Sequence, residues 1–200
     1  MARQPNGHTG WANHQRITKV AVLGAGTMGS RIAAHFANAG VRCVLLDIVS
    51  PEAAQSADRA ARNKIVAAGL DSAVKSKPAA LFRKGLERII SIGNFEDDMN
   101  LLSDADWIIE AVAENLEIKR GLLKKVEGVR KPGSIVTTNT SGLPVHSIAK
   151  GFSEDFRSHW FGTHFFNPPR YMRLLEIIPT PETDPAAIEA VSHFCDLRMG

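Results

Sequence analysis

The sequence predicts an α/β fold, a doubly wound and mainly parallel sheet with a helical-hairpin insert and an antiparallel strand pair appended at its end. Three observations predict it. Short apolar runs alternate with helical patterns through most of the chain, as in successive βαβ units. The first run ends in a glycine-spaced turn that opens a helix, the usual first turn of such a sheet. Beyond residue 157 two strand-like runs follow each other with no room for a crossover helix, so they pair antiparallel.

Composition sets the bounds. Two hundred residues bury one good core, and 44% apolar with 22% charged residues is ordinary globular usage. The net charge is +3 and the basic residues are dispersed, without an aromatic stacking platform, so nucleic acid is not expected as a partner. No run approaches the roughly 18 apolar residues of a membrane span. The two cysteines, Cys43 and Cys195, form neither a disulfide framework nor a metal pattern, and Cys43 lies inside a strand run. A reducing, cytoplasmic location is therefore expected. Residues 1–16 are polar, lack an apolar signal segment and read as a disordered leader ahead of a domain over 17–200.

The elements follow in order. Residues 20–23 form the first strand, and 30–38 a helix with Ile32, Ala33, Phe36 and Ala37 on one face. Gly40 ends that helix, and 41–46 is the second strand, with Asp47 at its C-terminal end. Ser50-Pro51-Glu52 reads as a helix start, leading to a helix that Gly69 closes. A second helical segment covers 72–86, with Pro78 marking a break, and the two make a hairpin insert rich in Arg and Lys. Such basic residues suit an anionic ligand, or equally a solvated helix face. Strands are expected at 88–92, 104–112 and 134–138, with an amphipathic helix over 115–131 stopped by Pro132-Gly133. Residues 160–166 and 173–178 are the appended pair around Asn167-Pro168-Pro169, and Asp184-Pro185 starts a last helix.

The chemistry concentrates in two places. Gly24, Gly26 and Gly29 give G-x-G-x-x-G, with Thr27 and Met28 inside it. The first glycine permits a tight turn, the second lets a pyrophosphate approach the backbone, and the third lets helix and strand pack closely. Asp47, about twenty residues beyond the motif, is placed for a ribose 2′-hydroxyl. Its neighbours Leu46 and Ile48 offer no cation to a 2′-phosphate, which favours NAD over NADP. His164 stands among aromatic residues on one late strand, and Glu176 is a lone carboxylate on the next. An isolated buried charge is costly, so Glu176 needs a partner, and an imidazole held at one ring nitrogen becomes an oriented general base at the other. The alternative is a core histidine with Glu176 facing solvent at an edge. Ser141 could bond a substrate oxygen or simply cap a turn; Asn167 could do the same or only form its Asn-Pro turn. Glu114 and Lys119 could reach the ribose or lie on a solvated helix face.

In order along the chain, Gly24-Ala25-Gly26-Thr27-Met28-Gly29, Glu110-Ala111-Val112, Glu114-Asn115-Leu116-Glu117-Ile118-Lys119, Asn139-Thr140-Ser141-Gly142-Leu143, His164-Phe165-Phe166-Asn167-Pro168 and Leu175-Glu176-Ile177 resemble the L-3-hydroxyacyl-CoA dehydrogenases. They are most similar to the long bacterial fatty-acid β-oxidation form, in which a hydratase-like region follows. The resemblance implies a Rossmann-type NAD-binding domain and oxidation of (S)-3-hydroxyacyl-CoA to the 3-ketoacyl-CoA. It implies His164 as catalytic base, Glu176 as its electrostatic partner and Ser141 on the substrate 3-oxygen. Asp47, Glu114, Lys119 and Asn167 would attend the cofactor. It further implies an all-helical C-terminal domain, outside these 200 residues, that closes the acyl-CoA cleft and makes a homodimer. Gly142 stands where many members carry a second serine. Two rival readings stay open at this point: a non-catalytic NAD-binding module, and a Ser141–His164–Glu176 hydrolase, which lacks a G-x-S-x-G elbow.

Overall fold

A computed structural model describes residues 17–199; the expected leader, 1–16, lies outside the described residues. The strands are β1 (Lys19–Leu23), β2 (Arg42–Asp47), β3 (Ile90–Asn94), β4 (Trp107–Glu110), β5 (Ile135–Thr138), β6 (Trp160–Phe165) and β7 (Leu175–Pro179). They form one sheet in the order β3-β2-β1-β4-β5-β6-β7. The first six are parallel, and β7 alone runs antiparallel, on β6. The direction of winding reverses between β1 and β4, and a crevice opens there at the C-terminal strand ends.

Both faces of β1, β2, β4, β5 and β6 are buried, which is why these strands read as unbroken apolar runs. Val20 and Val22 of β1 enter one core with Trp107, Phe161 and helices α1 (Thr27–Asn38), α3 (Lys64–Val74) and α7 (Pro185–Arg198). Ala21 and Leu23 enter the other with Trp160 and helices α4 (Leu116–Val129), α5 (Val145–Ile148) and α6 (Glu154–Ser158).

The insert departs from expectation. Ser50-Pro51-Glu52 opens only a 3-10 turn, Pro51–Ala53, and Ser50 makes no side-chain cap. The helix restarts at Asp58, whose carboxylate accepts the Ala60 N–H at 2.9 Å, and runs as the short α2 (Arg59–Arg62) and then α3. Arg62 is drawn off to Asp97, Glu96 and the Ala54 carbonyl. The second arm, expected to Leu86, is helical only to Val74, so the two long arms of a hairpin do not form. Pro78 lacks the N–H a helix would need there, and Gly85 has φ 95°. Nor does Gly69 end a helix. It sits inside α3, where a Cβ would overlap the Ala25 carbonyl oxygen and stand 2.8 Å from the Ala25 Cβ. That glycine serves close packing of a helix on the first loop.

Candidate active site

The loop after β1 is shaped by what its glycines lack. Gly24 has φ 102°, and a Cβ there would lie 2.6 Å from the Ala111 carbonyl oxygen. A Cβ on Gly29 would overlap the Gly24 carbonyl oxygen, so α1 could not start so close to β1. Gly26 faces open space and is the N-cap of α1, with no side-chain cap and no acidic residue in the first turn. The helix thus presents uncapped N–H groups and the positive end of its dipole. Thr27 is exposed in that first turn, whereas Met28 packs against the core, so it can offer a ligand little beyond its backbone.

Asp47 closes β2 beside this loop. Its Oδ2 accepts the Ala25 N–H at 2.5 Å and its Oδ1 the Ile48 N–H at 2.7 Å. A cavity of about 590 Å³ extends from Gly24, Gly26 and Asp47 along Ile48, Val112 and Ile118. These residues fit a dinucleotide: bare helix N–H groups for a pyrophosphate, a carboxylate for a ribose and an apolar slot for a flat base. Lys125 of α4 (Leu116–Val129) also lines this cavity.

Across the crevice Glu110, at the end of β4, is fully buried. It accepts Lys119 Nζ at 2.8 and 3.0 Å, the Val112 N–H at 2.7 Å and the Thr138 hydroxyl at 2.6 Å. Lys119 is only 1% exposed, so it does not line the groove as expected. Its ammonium lies behind Glu114, 3.2 Å from Glu114 Oε2. Glu114 Oε1 accepts the Thr140 hydroxyl, the Ser141 N–H at 3.2 Å and the Gly142 N–H at 3.0 Å. Burial opposes ionisation of Glu114, but these donors and Lys119 outweigh it and hold its pKa at about 2. Glu114 is thus a clasp on the Ser141 loop.

His164 and Glu176 face each other across the β6–β7 ladder, and His164 Nδ1 lies 2.7 Å from Glu176 Oε2. The pair is not buried as expected. Side-chain exposures are 21% and 50%, because β7 is the edge strand and its polar residue stands at the open side. The Phe166 ring packs 4.7 Å from the imidazole. Asn139 Oδ1 accepts the Phe165 N–H at 2.9 Å, which ties the end of β6 to the loop carrying Ser141. Asn167 is exposed at the rim and accepts Arg31 at 2.5 Å, joining the His164 strand to α1 behind the glycine loop.

Sequence reasoning missed Glu110 and Asn139 as organisers. The signal was there for Glu110: a carboxylate ending an apolar strand is the same pattern that singled out Glu176. Nothing in local sequence marks Asn139, because its partner lies 26 residues on.

Residues 19–198 match the family model described as the NAD-binding domain of 3-hydroxyacyl-CoA dehydrogenase. The chain belongs to this family. It is 46% identical over 185 residues to the Probable 3-hydroxyacyl-CoA dehydrogenase of Deinococcus radiodurans, covering 92% of this chain and 52% of the relative. To a protein of the same name from Bacillus subtilis it is 45% identical over 195 residues, covering 94% of this chain and 25% of the relative. The chain therefore spans about half the length of the first relative and a quarter of the second. The crystal structure of (S)-3-hydroxybutyryl-CoA dehydrogenase from Ralstonia eutropha superposes with a TM-score of 0.69 at 29% identity, over 90% of this chain and 60% of that one. The family carries the expected Rossmann-type fold and its cofactor class, NAD. Among the described residues no helix is long and apolar enough to cross a membrane.

Proposed function

We propose that this chain is the cofactor-binding and base-carrying part of an enzyme that oxidises (S)-3-hydroxyacyl-CoA to 3-ketoacyl-CoA in fatty-acid β-oxidation. The observation that supports this most directly is the His164–Glu176 pair, one strand beyond the Ser141 loop and at the same end of the sheet as the glycine turn. NAD, when bound, supplies the hydride acceptor. Gly24, Gly26, Thr27, Met28 and Gly29 hold its pyrophosphate through backbone N–H groups and close approach, and Asp47 holds a ribose. Glu114 and Asn167 border the nicotinamide side. Glu176 fixes His164 at Nδ1, leaving Nε2 to take the proton of the substrate hydroxyl. Ser141 donates to the substrate oxygen and keeps the 3-carbon beside the cofactor. Glu176 then stabilises the imidazolium that forms.

The same proposal places an acyl-CoA cleft between this domain and an all-helical C-terminal domain that also makes a homodimer, in a cytoplasmic enzyme. The partial coverage of the relatives supports it. Reduction of NAD by (S)-3-hydroxybutyryl-CoA, measured in the longer protein because this chain alone should bind NAD but turn over weakly or not at all, tests the reading. His164→Ala should cut the rate by about 100-fold or more, with NADH affinity unchanged. A rate that survives the substitution would refute His164 as the base, and labelling of Ser141 by a serine-reactive phosphonate would favour the hydrolase reading.

A further inference from the structure

We propose that the buried Glu110–Lys119 pair is a positioning device, which fixes Glu114 and through it the Ser141 loop at the mouth of the cofactor groove. The importance of that loop rests on the function proposed above; the mechanical linkage does not.

Glu114 by itself is a poor clasp. Its side chain is 42% exposed, and an exposed carboxylate paired to a mobile lysine gains little, because water screens the pair and both side chains lose freedom. Lys119 removes both objections. It is 1% exposed, and its ammonium is held by both Glu110 oxygens and, at 3.4 Å, by the Val112 carbonyl. It cannot swing away, and protein rather than water surrounds it.

Glu110 in turn is anchored from three elements. Its two oxygens take the Val112 N–H after β4, the Thr138 hydroxyl at the end of β5 and the Lys119 ammonium from α4. The position of Lys119 is therefore set by the sheet. Glu114 then divides its work, Oε2 to Lys119 and Oε1 to the Thr140 hydroxyl and the Ser141 and Gly142 N–H groups. The charge balance is consistent with this use, since two carboxylates share one ammonium and leave one negative charge, spread over the donors of the loop. A buried ion pair adds little stability over an apolar pair of the same shape. What it adds here is a fixed cation one step behind an exposed carboxylate. Lys119 and Glu110 are accordingly positioning residues and not catalytic ones.

The test is the double variant Glu110→Gln with Lys119→Met in this chain. The introduced glutamine keeps an acceptor oxygen for the Val112 N–H while its NH2 donates to the Thr138 hydroxyl oxygen, and the introduced methionine fills the lysine's space without a charge. Amide hydrogen exchange should accelerate about tenfold or more at Ser141 and Gly142 while core strand amides keep their rates. The Glu114 carboxyl, followed by carbon NMR, should titrate upward by about one pH unit or more. Unchanged exchange at Ser141 and Gly142, or acceleration of all amides alike, would overturn the proposal. If the double variant does not fold, Glu110→Gln alone takes its place: faster exchange confined to Ser141 and Gly142 supports the proposal, and unchanged exchange there overturns it. None of these readouts depends on turnover of a 3-hydroxyacyl-CoA, so failure of the linkage and failure of the functional reading are separately visible.

Discussion

Alanine at Gly69 should weaken both the fold and the cofactor site, against the usual rule for helices. In the interior of an exposed helix, Gly to Ala gains about 0.8–1 kcal/mol through backbone entropy and propensity. Gly69 lies within α3, but its Cβ position overlaps the Ala25 carbonyl oxygen and lies 2.8 Å from the Ala25 Cβ. Ala25 cannot give way freely. It is 5% exposed, and its N–H is held by Asp47 at 2.5 Å. Overpacking of this kind costs about 1–3 kcal/mol, and the pinned backbone places it near the upper end, about 3. Net of the helical gain, a loss of about 2 kcal/mol is expected, or a Tm lower by roughly 4–8 °C for a chain of this size. Because the displaced residue lies between Gly24 and Gly26, NADH should bind about tenfold more weakly, equivalent to about 1.4 kcal/mol. Gly128→Ala is the control, since nothing lies within 4 Å of its Cβ position in α4. It should raise the Tm and leave NADH binding alone. Calorimetry and fluorescence titration of both variants read the two quantities. If Gly69→Ala behaved like Gly128→Ala in both, α3 would not be pressed on the glycine loop.

Two further perturbations test the site and its surroundings. Asp47→Ser should weaken NADH by about 10- to 100-fold, the worth of a hydrogen bond to a charged group; adding Ile48→Arg should turn the preference toward NADPH in parallel titrations, and an unchanged NADH preference would remove Asp47 from the ribose. Burial, helped by the charge of Arg170, pushes the His35 pKa from 6.5 down to about 4. The unfolded chain therefore takes up this proton first as pH falls, so the stability linked to neutral His35 is complete above 6.5 and lost on the way to 4. The effect is about 3 kcal/mol, and His35→Gln should lose less stability between those pH values in urea melts; an identical pH slope would refute it.

Sequence alone carried much of this protein, because much of it depends on local pattern. Apolar runs and helical spacing specify a sheet buried on both faces, and the glycine spacing specifies a turn whose steric demands are local. Asp47 follows from the length of one βαβ unit. His164 and Glu176 were legible because their strands are consecutive and share one turn, so register alone brings them opposite each other. Tertiary structure decided what depends on distant partners. The insert carries good helix formers, yet Arg62 leaves its face for Asp97 and Glu96, and Pro78 and Gly85 break the second arm. Gly69 reads as a helix stop, but only the packing of α3 on Ala25 gives the reason for a glycine there. Lys119 reads as a lysine reaching for the cofactor ribose or lying on a solvated helix face. It is buried because Glu110, from the neighbouring strand, supplies a countercharge that no periodicity reveals. Glu176 reads as a buried charge needing a partner, but its strand is the last in the sheet and stays half open. Periodicity sets which face a side chain takes; the depth of that face depends on what packs over it, and only the assembled fold determines that.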